Sequence, residues 1–223
     1  MTTVPIASLD LAALLCSRVC HDVISPVGAI VNGLEMLDSE TDEEMRSVAM
    51  DLIKKSATSA SARLQFCRLA FGAAGSLSAA IDTGDAENVV RGLISNDRTA
   101  LTWKAPRSLL RKNIVKLLLN LCLIAASAIP RGGAVAVEFN VEGEAVSLKV
   151  EAKGANARLP HSASAILLGG AVDAIDGHSI QPYYTALLAK DCGMAIRASS
   201  LPDSVTLTAT PEEAFGSLGR EAS

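Results

Sequence analysis

Between Val19 and Leu37, apolar residues recur at three- and four-residue spacing: Val19, Val23, Val27, Ile30, Leu34 and Leu37. That period predicts an amphipathic helix, because the apolar residues of a strand would alternate instead. At an advance of about 100° per residue, His21 falls nearly opposite the stripe, with Ser25, Gly28 and Asn32 on its face. On geometry alone, a histidine on a polar helix face is an ordinary solvated side chain. Two neighbours set this one apart. Asp22 follows it directly, and Pro26 stands inside the same helical pattern. A proline there removes a backbone hydrogen bond and crowds the preceding turn, at about 3 kcal/mol. Such a proline beside an exposed histidine points to a helix shaped for more than packing.

The chain has 223 residues, enough for one large core or two small ones. It is 49% hydrophobic and 20% charged, the composition of a folded protein. Aromatics are only 3%, so the core must come from Ala, Leu, Ile and Val, which suits packed helices. The net charge of −4 argues against nucleic acid as a partner, since phosphate binding needs a basic face. Cys16, Cys20, Cys67, Cys122 and Cys192 are scattered, and Cys16 and Cys20 lack the further ligands of a zinc set. They read as small apolar residues in a reducing compartment. Met1 to Asp10 lacks a basic start followed by a continuous apolar segment. The most apolar run, Leu117 to Ile129, covers thirteen residues, whereas a membrane crossing needs about 20. A cytoplasmic protein without a membrane segment is expected.

Ser8 and Asp10 form a plausible helix start, and one helix is expected over Leu9–Leu37, kinked or loosened near Pro26. After a polar turn at 38–42, a second helix is expected from about Asp42 to Phe71. Met45, Ala49, Leu52, Ser56, Ala60, Arg63, Leu64, Cys67 and Phe71 share its helical spacing. The two helices form an antiparallel hairpin. A hairpin buries one side of each helix, so it either packs on its own second domain or pairs with a second copy as a dimeric four-helix bundle. Gly72 to Ser78 reads as a linker. Beyond it, helices are expected at 85–95, 107–129 and 181–192. Strands are expected at 100–104, 134–141, 145–151, 194–199 and 204–209, with Glu142-Gly143-Glu144 closing a hairpin. The fold class is α+β, with 1–72 the helical hairpin, 79–210 an α/β sandwich and 211–223 a polar tail.

The stretch His21-Asp22-Val23-Ile24-Ser25-Pro26-Val27 resembles the H-box of sensor histidine kinases, which carries a phosphorylated histidine. The order of elements after residue 79 resembles the kinase ATP-binding domain. Lys116 to Leu121 followed by Pro130-Arg131-Gly132-Gly133 resembles its N-box. The resemblance also shows what is missing. Ile124 stands where an asparagine would hold magnesium, and isoleucine cannot ligate a hard cation. Ala152 stands where an aspartate would read adenine, Asn156 replaces a glycine, and Tyr183-Tyr184 occupies the place of a glycine-rich phosphate loop. The second domain is therefore expected to be a degenerate histidine-kinase ATP-binding-like fold.

An H-box without a nucleotide site is similar to the dimeric histidine phosphotransferases of the alphaproteobacterial cell-cycle phosphorelay. That resemblance implies transfer from a receiver aspartate of a CckA-like hybrid kinase to His21, and then to CtrA-like and CpdR-like response regulators. It implies a homodimer, no cofactor of its own, and magnesium supplied by the receiver. Asp22 would orient the imidazole or help deprotonate it, and Arg18 would steady the transferring charge. A receiver must lie against the face of His21. The expected docking set is Arg18, Ser25, Gly28, Ala29, Asn32, Gly33 and Met36 from the first helix, with Leu52, Lys55, Ser56 and Ser59 from the second. The alternatives are an active kinase with aberrant nucleotide boxes and a non-catalytic receiver-binding adaptor.

Overall fold

The apolar period over 19–37 builds one unbroken helix, α1 (Ser8–Ser39), and a polar turn leads into α2 (Glu43–Ala70). In the computed structural model, residues 6–72, 80–170 and 174–212 are described. The expected linker, Gly72 to Ser78, lies outside them apart from Gly72, as do Met1 to Pro5 and the residues from 213 onward. Pro26 is buried within α1 and does not end it. Ser8 opens the helix as its first residue, and the capping position belongs to Ala7. α2 starts more firmly. The Asp42 carboxylate accepts a hydrogen bond from the Met45 N–H at 3.0 Å, and Glu43 and Glu44 complement the positive end of the helix. Arg46 donates back to the carbonyls of Leu37 and Glu40, closing the loop between the helices.

α1 and α2 approach most closely at Gly33. A Cβ there would stand 2.6 Å from Ile53 Cγ1 and 3.3 Å from the Ala49 carbonyl. The free ends of the hairpin stand on the second domain. Phe66 and Ala70 of α2 join its main core. Ile6, Leu11, Leu14 and Leu15, at the start of α1, pack around Ile166, Ile180 and Tyr183. The hairpin thus does bury part of itself against its own chain. Its middle and turn keep apolar side chains exposed, among them Ile24, Val27, Val31 and Leu34 of α1 and Met50 and Leu64 of α2.

The second domain runs β1 (Ala80–Asp82), α3 (Thr83–Ile94), β2 (Thr99–Lys104), β3 (Leu109–Arg111), α4 (Lys112–Ser127), β4 (Gly133–Glu142), β5 (Ala145–Lys153), α5 (His161–Leu167), α6 (Ile180–Asp191), β6 (Met194–Leu201) and β7 (Ser204–Pro211). Five strands form one sheet in the order β2-β4-β5-β7-β6, with β2 parallel to β4 and the remaining pairs antiparallel. Buried and exposed residues alternate along β5, as a sheet covered on one face requires. α4 is buried along nearly its whole length because it packs on β4, β5 and β7 of the sheet and also meets α2, α3 and α6.

Three expectations change. The helix expected over 107–129 begins at Lys112, because Leu109–Arg111 pairs with β1 in a separate two-stranded ribbon. α5 and β1 were not expected; each is too short to show a period. The most membrane-like segment is also not Leu117 to Ile129, which lies in and just beyond α4 and is core. α1 is long and apolar enough to cross a membrane by length and composition, and only 6% of the qualifying window is buried within this chain.

Candidate functional site

His21 projects from α1 with its side chain 77% exposed, and its Nδ1 lies 3.5 Å from Asp22 Oδ1. At that length the contact is electrostatic more than a formed hydrogen bond. The other oxygen of Asp22 accepts from Arg18 Nε at 2.9 Å, one helical turn away. The Asp22 side chain is only 16% exposed, so the carboxylate is held between the arginine and the imidazole on a rigid helix. Arg18 was expected to meet a transferring phosphoryl group. Here its Nε is held by Asp22, and its charge offsets that of the carboxylate.

Most of the expected docking face is open. Ser25, Asn32, Leu52 and Lys55 are exposed, and Ala29, Met36 and Ser59 are half-buried. A Cβ at Gly28 would meet nothing within 4 Å, so this glycine has no packing reason on its own chain. Two expected members are not on the surface. Gly33 is buried under Ala49 and Ile53, because it lies about 120° around α1 from His21, toward α2. Ser56 is 8% exposed, in line with Ala49, Ala60 and Cys67 on the stripe of α2 that faces α1.

One charged side chain of α2 falls within the stripe that the helical pattern groups together. Arg63 counts there as part of the apolar stripe of α2, yet it is only half-buried, and its Nε donates to Ser59 Oγ at 3.4 Å. Arg18, Asp22 and Arg63 all act on the thiol of Cys67. Burial pushes that thiol up to about 11 and Asp22 pushes the same way, while Arg18 and Arg63 oppose. Charged groups of both helices thus act on the thiol between them. A charge interrupting an otherwise apolar stripe was the signal available in the sequence.

In the second domain, the positions read as lost nucleotide ligands are filled by core. Ile124 is 3% exposed and Ala152 fully buried, both within the main hydrophobic cluster. Asn120 is fully buried and donates to the Lys116 carbonyl of its own helix at 2.9 Å. Gly133 and Gly154 are retained for a backbone crossing: a Cβ on Gly133 would strike the Lys153 carbonyl, and one on Gly154 the Gly132 carbonyl. Asn156 takes a left-handed φ of 59° and its N–H donates to Asp203 Oδ1 at 2.6 Å, so the β6–β7 turn closes this loop. Tyr183 accepts from the Ile6 N–H at 3.3 Å, and the ring of Tyr184 lies 5.7 Å from that of Phe71. The tyrosines that stand in place of a phosphate loop hold the hairpin. Among the described residues no three His, Cys, Asp or Glu gather as a metal site.

Residues 83–203 match the family model of the histidine phosphotransferase C-terminal domain. The chain is 49% identical to protein phosphotransferase ChpT of Brucella abortus (strain 2308), over 92% of this chain and 98% of that one. A solved structure described as a bacterial phosphotransferase superposes with a TM-score of 0.85 at 48% identity, covering 92% of this chain and 98% of that chain. The histidine kinase AdeS of Acinetobacter baumannii gives a TM-score of 0.46 at 11% identity, over 86% of this chain and 96% of that one.

Proposed function

The chain belongs to the histidine phosphotransferase family, and from that premise we propose that His21 carries the phosphoryl group between receiver-domain aspartates. The observation that carries this reading is His21 itself, 77% exposed on a rigid helix with Nδ1 turned to a half-neutralised carboxylate. With the proton on Nδ1, facing Asp22, the lone pair sits on Nε2 and points to solvent. Nε2 attacks the phosphorus of a receiver aspartyl phosphate. An N–P bond forms, the P–O bond to the aspartate breaks, and the carboxylate leaves with the electron pair. The ring becomes cationic and keeps its Nδ1 proton, and Asp22 balances that charge. Passing the group to a second receiver is the same step reversed.

The receivers dock along Ser25, Gly28, Ala29 and Asn32, with Met36, Leu52, Lys55 and Ser59 completing the surface, and each brings its own magnesium. By the resemblance above, the donor is a CckA-like hybrid kinase and the acceptors are CtrA-like and CpdR-like regulators in the cytoplasm. The second domain serves as a base for the hairpin and uses no ATP, a reading supported by buried Ile124 and Ala152 and by Tyr183 packed under α1. A homodimer covers the apolar middle of the hairpin. That face is one-sided, since Arg18, Asp22 and Asn32 share α1, and charges at mid-bilayer are costly; a second hairpin fits it better than lipid.

The test is a reconstituted relay. Wild-type protein mixed with a labelled donor receiver should take up label and pass it to a second receiver, while labelled ATP alone should give none. His21→Ala should block the relay yet keep the melting temperature and dimer mass, since the ring is exposed. Relay activity in His21→Ala, or labelling from ATP alone, contradicts this reading.

A further inference from the structure

We infer that Arg18 is a positioning residue for the transfer, acting through Asp22. It holds the carboxylate turned back toward His21, so that the imidazole keeps its proton on Nδ1. The role rests on His21 being the carrier.

Residues adjacent in sequence on a helix do not face one another. His21 and Asp22 project about 100° apart, and Asp22 starts on the side of α1 that also carries Gly33. Its own rotamers give the carboxylate no reason to sit against the ring. Arg18 supplies one. It stands three residues before His21 and four before Asp22, about 60° around the helix from the histidine and so between the two. Helical side chains lean toward the N-terminus, which carries Asp22 into the turn of Arg18. There the Arg18 Nε donates to Oδ2 at 2.9 Å, and the other oxygen, Oδ1, stands 3.5 Å from His21 Nδ1.

Exposure separates the steering pair from the group it steers. The side chains of Arg18 and Asp22 are 22% and 16% exposed, against 77% for His21. The ring reaches into solvent, while the pair beside it is mostly covered.

The resting contact of 3.5 Å is loose, as catalytic hydrogen bonds often are before substrate arrives. It tightens when the ring turns cationic. The N–P bond forms at Nε2, the P–O bond to the receiver aspartate breaks, and the proton stays on Nδ1 facing Oδ1. A carboxylate already fixed by Arg18 needs no reorganisation at that moment. A free carboxylate would leave the proton divided between the two ring nitrogens, and a protonated Nε2 has no lone pair to attack with.

A residue that acts through Asp22 matters only while Asp22 can take its hold. The experiment measures single-turnover transfer from a phosphorylated receiver to the full-length protein over a range of receiver concentrations. Arg18→Met keeps much of the stem and removes the donor. It should lower the saturating rate by about 10- to 100-fold, the scale of a misplacement of up to about 1 Å. The half-saturating concentration and the melting temperature should stay near wild type. Arg18→Lys keeps the charge without the planar fork and should recover part of the rate. In the Asp22→Asn background, Arg18→Met should cost little more.

A second readout does not depend on transfer. In protein labelled with 15N-histidine at alkaline pH, the signals lost in His21→Ala identify the ring. Wild type should hold the proton on Nδ1, and Arg18→Met should share it with Nε2. A change confined to half-saturation would make Arg18 a receiver contact, and an equal further loss in the Asp22→Asn background would give it a role of its own. Either overturns the inference, as does an unchanged rate or tautomer in Arg18→Met. Phosphate accepted by His21→Ala would overturn the carrier reading and this role with it. An inert His21→Ala beside an unchanged Arg18→Met overturns only the role of Arg18.

Discussion

Two glycines on α1 show how a few ångströms separate a surface from a seam. Both cost the helix about 1 kcal/mol against alanine. At Gly28 an added Cβ meets open space, whereas at Gly33 it meets Ile53 Cγ1 at 2.6 Å and the Ala49 carbonyl at 3.3 Å. Gly28→Ala should therefore stabilise the chain by about 0.5–1 kcal/mol. Gly33→Ala gains the same helix propensity but overpacks the seam at about 1–3 kcal/mol, so it should be net destabilising. Thermal melts of the two variants check the opposite signs. The helical pattern places Gly28 within about 20° of His21 and Gly33 about 120° away, and the position of α2 decides that the second is a seam. The same limit applies to Ser56 and Arg63. A single helix can be read for its faces, but which face meets a neighbour depends on the neighbour.

Among the elements, α6 was legible as a helix while its role was not. Tyr183 and Tyr184 stand out in the sequence only as residues too bulky for a phosphate loop. In the fold, Tyr183 is 4% exposed and packs under Leu11, Leu14 and Leu15, joining α6 to the start of α1. Truncation of a buried ring costs about 3–5 kcal/mol, and here the loss falls on the joint between hairpin and base. Tyr183→Ala should speed amide hydrogen exchange over residues 11–15 more than in the sheet. Uniform acceleration throughout the chain would show that the joint is not a separate element. The long helices and the hairpin of β4 and β5 were readable because their periods run for many residues. β1 and α5 have three and seven residues, too few for a period, and β3 took residues that the pattern gave to α4.

At the scale of the molecule, the thiols tie stability to pH. Cys67 and Cys192 are raised from 9.0 to about 11, both mainly by burial, and burial raises Cys122 as well. A folded state that holds thiols protonated is favoured fully below about 9, where the unfolded chain also keeps its protons. As pH rises from about 9 to about 11 the unfolded chain ionises first, so that stability is lost. The melting temperature should fall over this window, and Cys67→Ala should flatten the fall; an equally steep fall in the variant would remove Cys67 as a contributor. The whole molecule is a histidine phosphotransferase in which the base that resembles a nucleotide domain is filled with core and the exposed imidazole stands on the hairpin above it. The phosphoryl group is expected on one residue of that hairpin, His21. The protein should be phosphorylated from a labelled receiver, digested, and mapped by fragmentation mass spectrometry under alkaline conditions that preserve a phosphoramidate. Phosphate on His21 is the expected result; phosphate on His161 or His178, with His21 unmodified, would contradict it.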